Sequence, residues 1–503
     1  MPGLEFAVHA FTPFNLMLAL IGVASGTAVG ALPGLSATMA IAVLVPLTFT
    51  MEPASALIML GAIYTGAIYG GAYAAILVNT PGTPSAIATT FDGFPMAKRG
   101  DGDLAVTLAC LASVVGGLVG ALCLLFFAPP LAEVALKFGP VEYFWLAVFG
   151  LTLISALSEG DLFKGLVGAC LGLLLSTVGV AVVGGDIRYT YGSQVLLGGI
   201  EVVSGLIGLY CIPVLIDMVA TPDPHLQFSG ATRGLRLLEA LRLSWRGKFN
   251  LIRSSIIGTL VGILPGAGGS IAGLVAYSEA RRASPRTEYF GSGEPEGVQA
   301  TESANNATVG GGLIPTLVLG IPGTPPDAVM LGALLIQGLR TGPTLFTAKG
   351  AIVYTFIYGL LIATLLMLPV GLLIGRYAYK SIISVPKAVL VPSVAFLTVI
   401  GSYAIRNNVS DVVIMLALGV MGWVLSRFGF KPSPIVLGLI LGPIAEQGFV
   451  QGYLIGKAGN NVLGMFFGRP IALAIIALSI ISVFSPLLAR RLKARRAHTT
   501  DAE

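Results

Sequence analysis

Three stretches limit what this chain can fold into. "GLVGACLGLLLSTVGVAVVGG" (165–185), "GAIVYTFIYGLLIATLLMLPVGLLIG" (350–375) and "IALAIIALSIISVFSPLLA" (471–489) carry no charged side chain. Each is long enough to cross a hydrocarbon core of about 30 Å as a helix. A membrane barrel is excluded, because its strands alternate in polarity and are about half that length. Only 11% of the 503 residues are charged and 55% are hydrophobic, against about 25% charged in an ordinary soluble domain. The reading is an all-α polytopic membrane protein.

The run at 54–78 ends abruptly in "NTPGTPSA" (79–86). Proline and glycine interrupt helices, and an interrupted helix in lipid needs partners for the freed backbone groups. The interruption recurs. "VGALPGLSATMAIAV" (29–43) aligns without a gap on "VGILPGAGGSIAGLV" (261–275), with seven of fifteen positions identical. "GGAYAAILVNTPGTP" (70–84) aligns on "GGLIPTLVLGIPGTP" (311–325), and Arg99 and Arg340 keep the same spacing. The offsets are 232 and 241, so the second half holds nine more residues between its motifs, assigned to the polar stretch 281–306. Paired Gly/Pro breaks at corresponding positions of two halves mark transporter substrate sites.

Apolar segments fall near 14–32, 35–50, 54–79, 104–128, 142–157, 165–185, 195–219, 250–264, 267–280, 307–322, 350–375, 388–405, 412–426, 433–445 and 461–489. Several are too short to span alone. The expected architecture is about ten to twelve transmembrane helices in two homologous repeats, with broken helices or re-entrant hairpins at the Pro-Gly motifs. Inverted repeats are expected, because they bring both motifs to the midplane; the segment count leaves the parity open. The expected divisions are a first repeat (1–219), a basic cytoplasmic linker (220–249), a second repeat (250–489) and a basic cytoplasmic tail (490–503).

The basic residues cluster at Arg233, Arg236, Arg242, Arg246, Lys248 and Arg253, and at Arg490, Arg491, Lys493, Arg495 and Arg496. Both clusters flank apolar runs, so they read as cytoplasmic topology signals rather than nucleic-acid contacts. The N-terminus has no basic n-region or small-residue cleavage site and is expected to be retained. The four cysteines form no C-x-x-C pair and the three histidines are scattered, which argues against a metal site. No G-x-x-x-x-G-K-[ST] motif occurs, so no nucleotide is expected at a P-loop. No apolar run pairs a nucleophile with a base, which disfavours an intramembrane enzyme; a channel stays open as an alternative to a carrier.

Broken helices offer N–H donors and a positive dipole end to an anion, and carbonyls and hydroxyls to a cation. The anion candidates are Asn79, Thr80, Pro81, Gly82 and Thr83, with Pro322, Gly323 and Thr324 in the matching half. Ser36 and Thr38 follow the other Pro-Gly pair. Asp327 is the candidate cation ligand or proton carrier, because intramembrane carboxylates are costly without a role. Gly268, Gly269 and Ser270 join it. Arg99 and Arg340 are weaker candidates for electrostatic attraction. Glu294 and Glu296 mark the region before the second break as solvated.

"YGGAYAAILVNTPGTPSA", "LPGLSATMA" and "GEPEGVQATESANNATVGGGLIPTLVLGIPGTPPDAVMLGALLIQGLRTGP" resemble the large membrane subunit of the tripartite tricarboxylate transporters, over about residues 12–490. The family-like block adds Ser303, Asn305 and Asn306, and less securely Glu302, as substrate contacts. The resemblance implies a bacterial inner-membrane importer of citrate-like, dicarboxylate or aromatic acids. It implies a small four-helix membrane subunit and a periplasmic solute-binding protein as partners. It also implies Na+ or H+ as the coupling ion, no other cofactor, and alternating access.

Overall fold

The computed structural model describes residues 3–32, 34–80, 83–157, 162–220, 236–266, 268–378 and 385–482. Pro33, Pro81, Gly82 and the tail 490–503 lie outside them, as does half of the expected linker, 221–235. The described chain is almost wholly helical, with one two-stranded hairpin, Gly179–Val180 against Ile187–Arg188. The helices form two compact units, Met1–Ala135 with Val203–Trp423, and Leu136–Val202 with Val424–Glu503.

The first unit starts with α1 (Pro13–Gly30), α2 (Ala37–Leu44) and α3 (Pro53–Val78). A short helix, α4 (Thr90–Lys98), leads into α5 (Gly102–Ala135). In the second unit, α6 (Pro140–Leu157) and α7 (Leu162–Ser176) pack on a later helix, Pro432–Ala458. There Gly172 meets the Ile435 carbonyl, and Arg188 pairs with Glu446 at 2.8 Å. The chain returns to the first unit through α8 (Val202–Ala220) and α9 (Leu237–Arg246). Then come α10 (Lys248–Ile263), α11 (Gly268–Ala283), α12 (Pro295–Leu319), α13 (Pro325–Ile336), α14 (Pro343–Ala348) and α15 (Gly350–Leu373).

The sequence repeat is also a repeat of elements. α1, α2 and α3 fall on α10, α11 and α12 at the two offsets. The crossings match in detail. A Cβ on Gly26 would come within 2.2 Å of the Ile63 carbonyl, and one on Gly258 within 2.1 Å of the Ala304 carbonyl. These are equivalent residues on equivalent helix pairs, and only glycine allows backbones so close. The ends match too. Asn79 and Gly320, which follow α3 and α12, are both left-handed, with φ of 55° and 72°. Thr80 N–H donates to Ala74 O and Ile321 N–H to Pro315 O, the same wide capping bond in each half. The glycines of the two Leu-Pro-Gly turns, Gly34 and Gly266, have φ of 87° and 85°.

Helix sense can be read from these contacts. Gly22, Gly26 and Gly30 meet Met59, Ile63 and Ala67, so α1 and α3 run the same way. Gly258 and Gly262 meet Ala304 and Thr308, so α10 and α12 also run together. Gly116 and Gly120 of α5 meet Ser303 and Ala307, which adds α5 to that set. Against α3 the order reverses: Gly102 lies on Leu77 and Gly117 near Thr65.

Eight described helices are long and apolar enough to cross a membrane, and five shorter apolar helices accompany them. Three details depart from expectation. The run 165–185 is helical only to Ser176, where Gly179, Gly184 and Gly185 adopt positive φ. The segment expected at 433–445 extends to Ala458. The segment expected at 307–322 begins twelve residues earlier, at Pro295, and Gly297–Val318 is buried throughout. Glu302, Asn305 and Asn306 lower its hydropathy, but its Gly, Ala, Ser and Thr residues let α5 and α10 pack closely around it.

Candidate functional site

The site grows from two helix breaks. After α12, the chain turns through Gly320 and restarts as α13, with Pro325 at the first helical position, where a missing N–H costs nothing. Thr324 caps α13: its Oγ1 accepts from Asp327 N–H at 3.4 Å and lies 2.6 Å from Asp327 Oδ2. Tyr64, in the middle of α3, reaches the same Thr324 Oγ1 at 2.8 Å. The two breaks of the second half also touch each other, since Gly266 N–H donates to Gly323 O at 2.8 Å. Pro322, Gly323, Thr324 and Asp327 are all buried.

The two halves meet nearby. Thr65 Oγ1 donates to Asn306 Oδ1 at 3.3 Å, and these residues are equivalents at the 241-residue offset. Tyr64 is likewise the equivalent of Asn305. Asn305 sits by Gly269 and Ser85, where a Cβ on Gly269 would approach its Oδ1 to 2.3 Å. Ser85 Oγ lies 2.9 Å from Thr83 Oγ1, and Thr83 packs on Gly71.

Several buried polar atoms here have no hydrogen-bond partner among the described residues. They are both side-chain ends of Asn305, Nδ2 of Asn306 and Oδ1 of Asp327. Asn305, Asn306 and Asp327 have no measurable exposure. Buried polar groups are almost always paired, so a cluster of orphans marks a place for ions, water or ligand. The atoms supply both amide donors and carboxylate or amide acceptors.

The other sequence candidates are spread more widely. Asn79 is exposed and closes the end of α3; Thr80 Oγ1 bonds locally to Val78 O at 3.3 Å. Ser36 caps α2 by accepting from Met39 N–H at 3.2 Å, and Thr38 is buried in that helix. Gly268 and Ser270 open α11 beside Gly269. Ser303 is buried on α12, where its Oγ bonds to Ala300 O at 3.3 Å. Arg99 donates to Gly293 O, and Arg340 is exposed. Sequence reasoning passed over Tyr64, Thr65 and Ser85; the offset that pairs Tyr64 and Thr65 with the two asparagines was the available signal.

Beside this cluster, the segment after the first break is tied to the second half. Asp92 Oδ1 accepts from Gly291, Gly293 and Glu294 N–H at 2.8, 2.7 and 2.8 Å. Asp92 Oδ2 accepts from Tyr277 OH at 2.9 Å. Glu294 is buried rather than solvated. Burial raises its carboxyl above the usual range, while the Arg286 guanidinium pulls it down.

Residues 16–437 match the family described as Tripartite tricarboxylate transporter TctA family. The chain belongs to that family. Among curated proteins, this TctA-family chain is 38% identical over 480 residues to an uncharacterized 52.8 kDa protein in the TAR-I ttuC' 3' region of Agrobacterium vitis, covering 95% of this chain and 94% of the relative. It is 36% identical over 232 residues to an uncharacterized protein in the TAR-II ttuC' 3' region of the same organism, covering 46% of this chain and 94% of the relative. No solved structure matches. The TctA assignment makes the chain a multi-pass membrane component of a transporter.

Proposed function

We propose that this chain is the carrier subunit of a binding-protein-dependent importer of tricarboxylates or related organic acids, driven by a Na+ or H+ gradient. The observation that carries the reading is the buried, unpaired cluster of Asn305, Asn306 and Asp327 where the two halves meet. Asparagine amides, threonine hydroxyls and the α13 N-terminus suit a carboxylate, and hold it weakly enough to release it. A lone carboxylate beside an anion site is repulsive unless a cation joins it. Asp327 therefore supports cation coupling at the same place, with Gly268, Gly269 and Ser270 on the neighbouring turn.

Helix sense supports inverted repeats. α12 runs with α5, α5 runs against α3, and α3 is the equivalent of α12. An inverted pair places both breaks at one level and provides two exchangeable faces for alternating access. The basic residues around Arg236, Arg246 and Arg286, by the positive-inside rule, support a cytoplasmic position for the 284–294 loop in a bacterial inner membrane. The family supports a small four-helix subunit and a periplasmic binding protein as partners.

Proteoliposomes holding this chain and its small subunit, supplied with a binding protein loaded with labelled citrate or another carboxylate, test the reading. Gradient-driven accumulation that Asn305→Ala and Asp327→Asn abolish is the expected result. Accumulation that survives both variants moves the site elsewhere. Passive flux without accumulation replaces the carrier with a channel.

A further inference from the structure

Glu302 is a second intramembrane carboxyl, apart from the unpaired cluster. It lies on α12 with no measurable exposure, and it faces α5 and the segment after the first break. Its partners are hydroxyls: Thr89 Oγ1 at Oε1, and Ser113 Oγ at 3.1 Å from Oε2. Among the described residues no cation and no backbone N–H meets it. The titratable group facing it from α5 is the Cys110 thiol, beyond which lie Tyr69 and Tyr73 of α3. Asp92 sits near Gly297, a turn and a half earlier on α12, and is fully engaged by the 291–294 amides and Tyr277. Arg99 is bound to Gly293 O. From α10, Arg253 is bound to Asn250 and lines a surface groove with Glu279 and Arg282 of α11. Asp327 of α13 lies by Gly312, ten residues along α12.

The hydroxyl surroundings of Glu302 suit the neutral acid. Thr301 Oγ1 gives its hydrogen to a carbonyl of the preceding turn, Gly297 O or Val298 O, both at 3.1 Å. Towards Thr89 it is therefore an acceptor, at 3.2 Å. Thr89 Oγ1 has one hydrogen and lies against both Glu302 Oε1 and Thr301 Oγ1; when it donates to Thr301, its oxygen is free to accept from a protonated Glu302. A neutral Glu302 donates from Oε1 to Thr89 and accepts at Oε2 from Ser113, so every group is satisfied. A charged Glu302 has only the Thr89 and Ser113 hydroxyls to meet it among the described residues, with no cation and no backbone N–H, in a place where water does not help.

Thr89 belongs to the first-half segment that leads from the broken motif to α4, whereas Glu302 belongs to the second half. Movement of that segment removes the acceptor and opens the carboxyl to water. We propose that Glu302 is the proton-carrying group of this carrier, neutral while the 83–98 segment is seated and ionised when that segment leaves. The step balances simply: the Oε1–H bond breaks, the proton passes to water on the open side, and the carboxylate stays hydrated. Reseating requires a proton to rebind. The residue thus links segment position to proton movement, an inference that rests on the carrier reading above.

Infrared spectroscopy of the purified full chain reads the proton directly. A protonated-carboxyl band near neutral pH is expected in the wild type and lost in Glu302→Gln, which keeps shape and hydrogen bonding. Ser113→Ala is expected to move the pH midpoint of that band without removing it. In the proteoliposome assay, pH-gradient-driven accumulation falls at least about tenfold in Glu302→Gln and partly recovers in Glu302→Asp. An unchanged band in Glu302→Gln overturns the proposal, as does undiminished pH-driven accumulation. A wild type that moves no carboxylate under any gradient sinks the carrier reading instead, while the infrared band still decides whether Glu302 holds the proton.

Discussion

The two Pro-Gly-Thr-Pro motifs are nearly identical in sequence, yet the segments that follow them are fastened differently. After the first, the chain makes a short 3-10 turn (Pro84–Ala86) and then a separate nine-residue helix that contains Pro95. After the second it forms one continuous helix, α13. The first segment is held by charge-assisted hydrogen bonds: Asp92 accepts from three backbone N–H groups and a tyrosine, and Arg99 donates to a carbonyl. The second is held by neutral ones. Tyr64 meets Thr324, and Gln337 Nε2 donates to Thr48 O at 2.9 Å. The residue equivalent to Asp92 at the 241-residue offset is Ala333. The loop that Asp92 grips belongs to the longer second-half connection, while the matching first-half turn, Val45–Thr48, offers a single carbonyl. Two segments related by one repeat therefore start from unequal holds. In a carrier that exposes its site alternately, such inequality sets which face is closed at rest.

The largest expected effect comes from removing the stronger hold. Asp92 is buried, and charge-assisted hydrogen bonds contribute about 1.5–3 kcal/mol each, with less than full additivity. Asp92→Ala is expected to cost about 3–5 kcal/mol at this contact, since it also strands three amides. Hydrogen exchange of the Gly291, Gly293 and Glu294 amides should rise by about two orders of magnitude. Exchange that stays at the wild-type rate would mean the loop is held by something other than Asp92, and the contrast between the two segments would lose its main support.

How much of this was legible in the sequence depends on which force made each element. The apolar runs and the Pro-Gly punctuation announced the helices, their breaks and the duplication, because burial and backbone geometry are local properties. α12 was half hidden. Its N-terminal turns hold Glu294, Glu296, Glu302, Asn305 and Asn306, which look solvated until small residues on α5 and α10 are seen to enclose them. The partners of Asn306 and Thr324 were hidden for another reason. Thr65 and Tyr64 sit in an apolar helix where a single hydroxyl raises no signal, and their meaning is set by a contact across about 240 positions of chain. Asp92 was invisible in the same way: an acid in "FDGF" gives no hint of three amides two hundred residues away.

A medium effect tests the likeness that the comparison assumes. Gly26→Ala and Gly258→Ala each place a methyl against a backbone carbonyl, on Ile63 and Ala304 respectively. Overpacking of this kind costs roughly 1–3 kcal/mol. Because the two crossings are equivalent, the two losses in detergent melting should agree closely. A large loss in one half alone would show that the repeats share sequence without sharing packing energy, and the unequal holds could then not be read as departures from a common plan.

The smallest effect sharpens the contrast most directly. Gln337→Ala removes one neutral hydrogen bond to Thr48 O, a contribution of about 0.5–1.5 kcal/mol. Its carbonyl partner keeps a second lone pair and Gln337 is only part-buried, so little is left stranded. Exchange at residues 45–51 is therefore expected to rise by no more than about tenfold, well short of the change at 291–294 in Asp92→Ala. Combining both variants should restore a more even balance: with each hold weakened, amide exchange at 291–294 and at 45–51 should proceed at closer rates than in either single variant. If Gln337→Ala instead frees its segment as fully as Asp92→Ala frees the other, the neutral contact carries as much as the charge-assisted one, and the bias between the two faces must come from the helices themselves rather than from their fastenings.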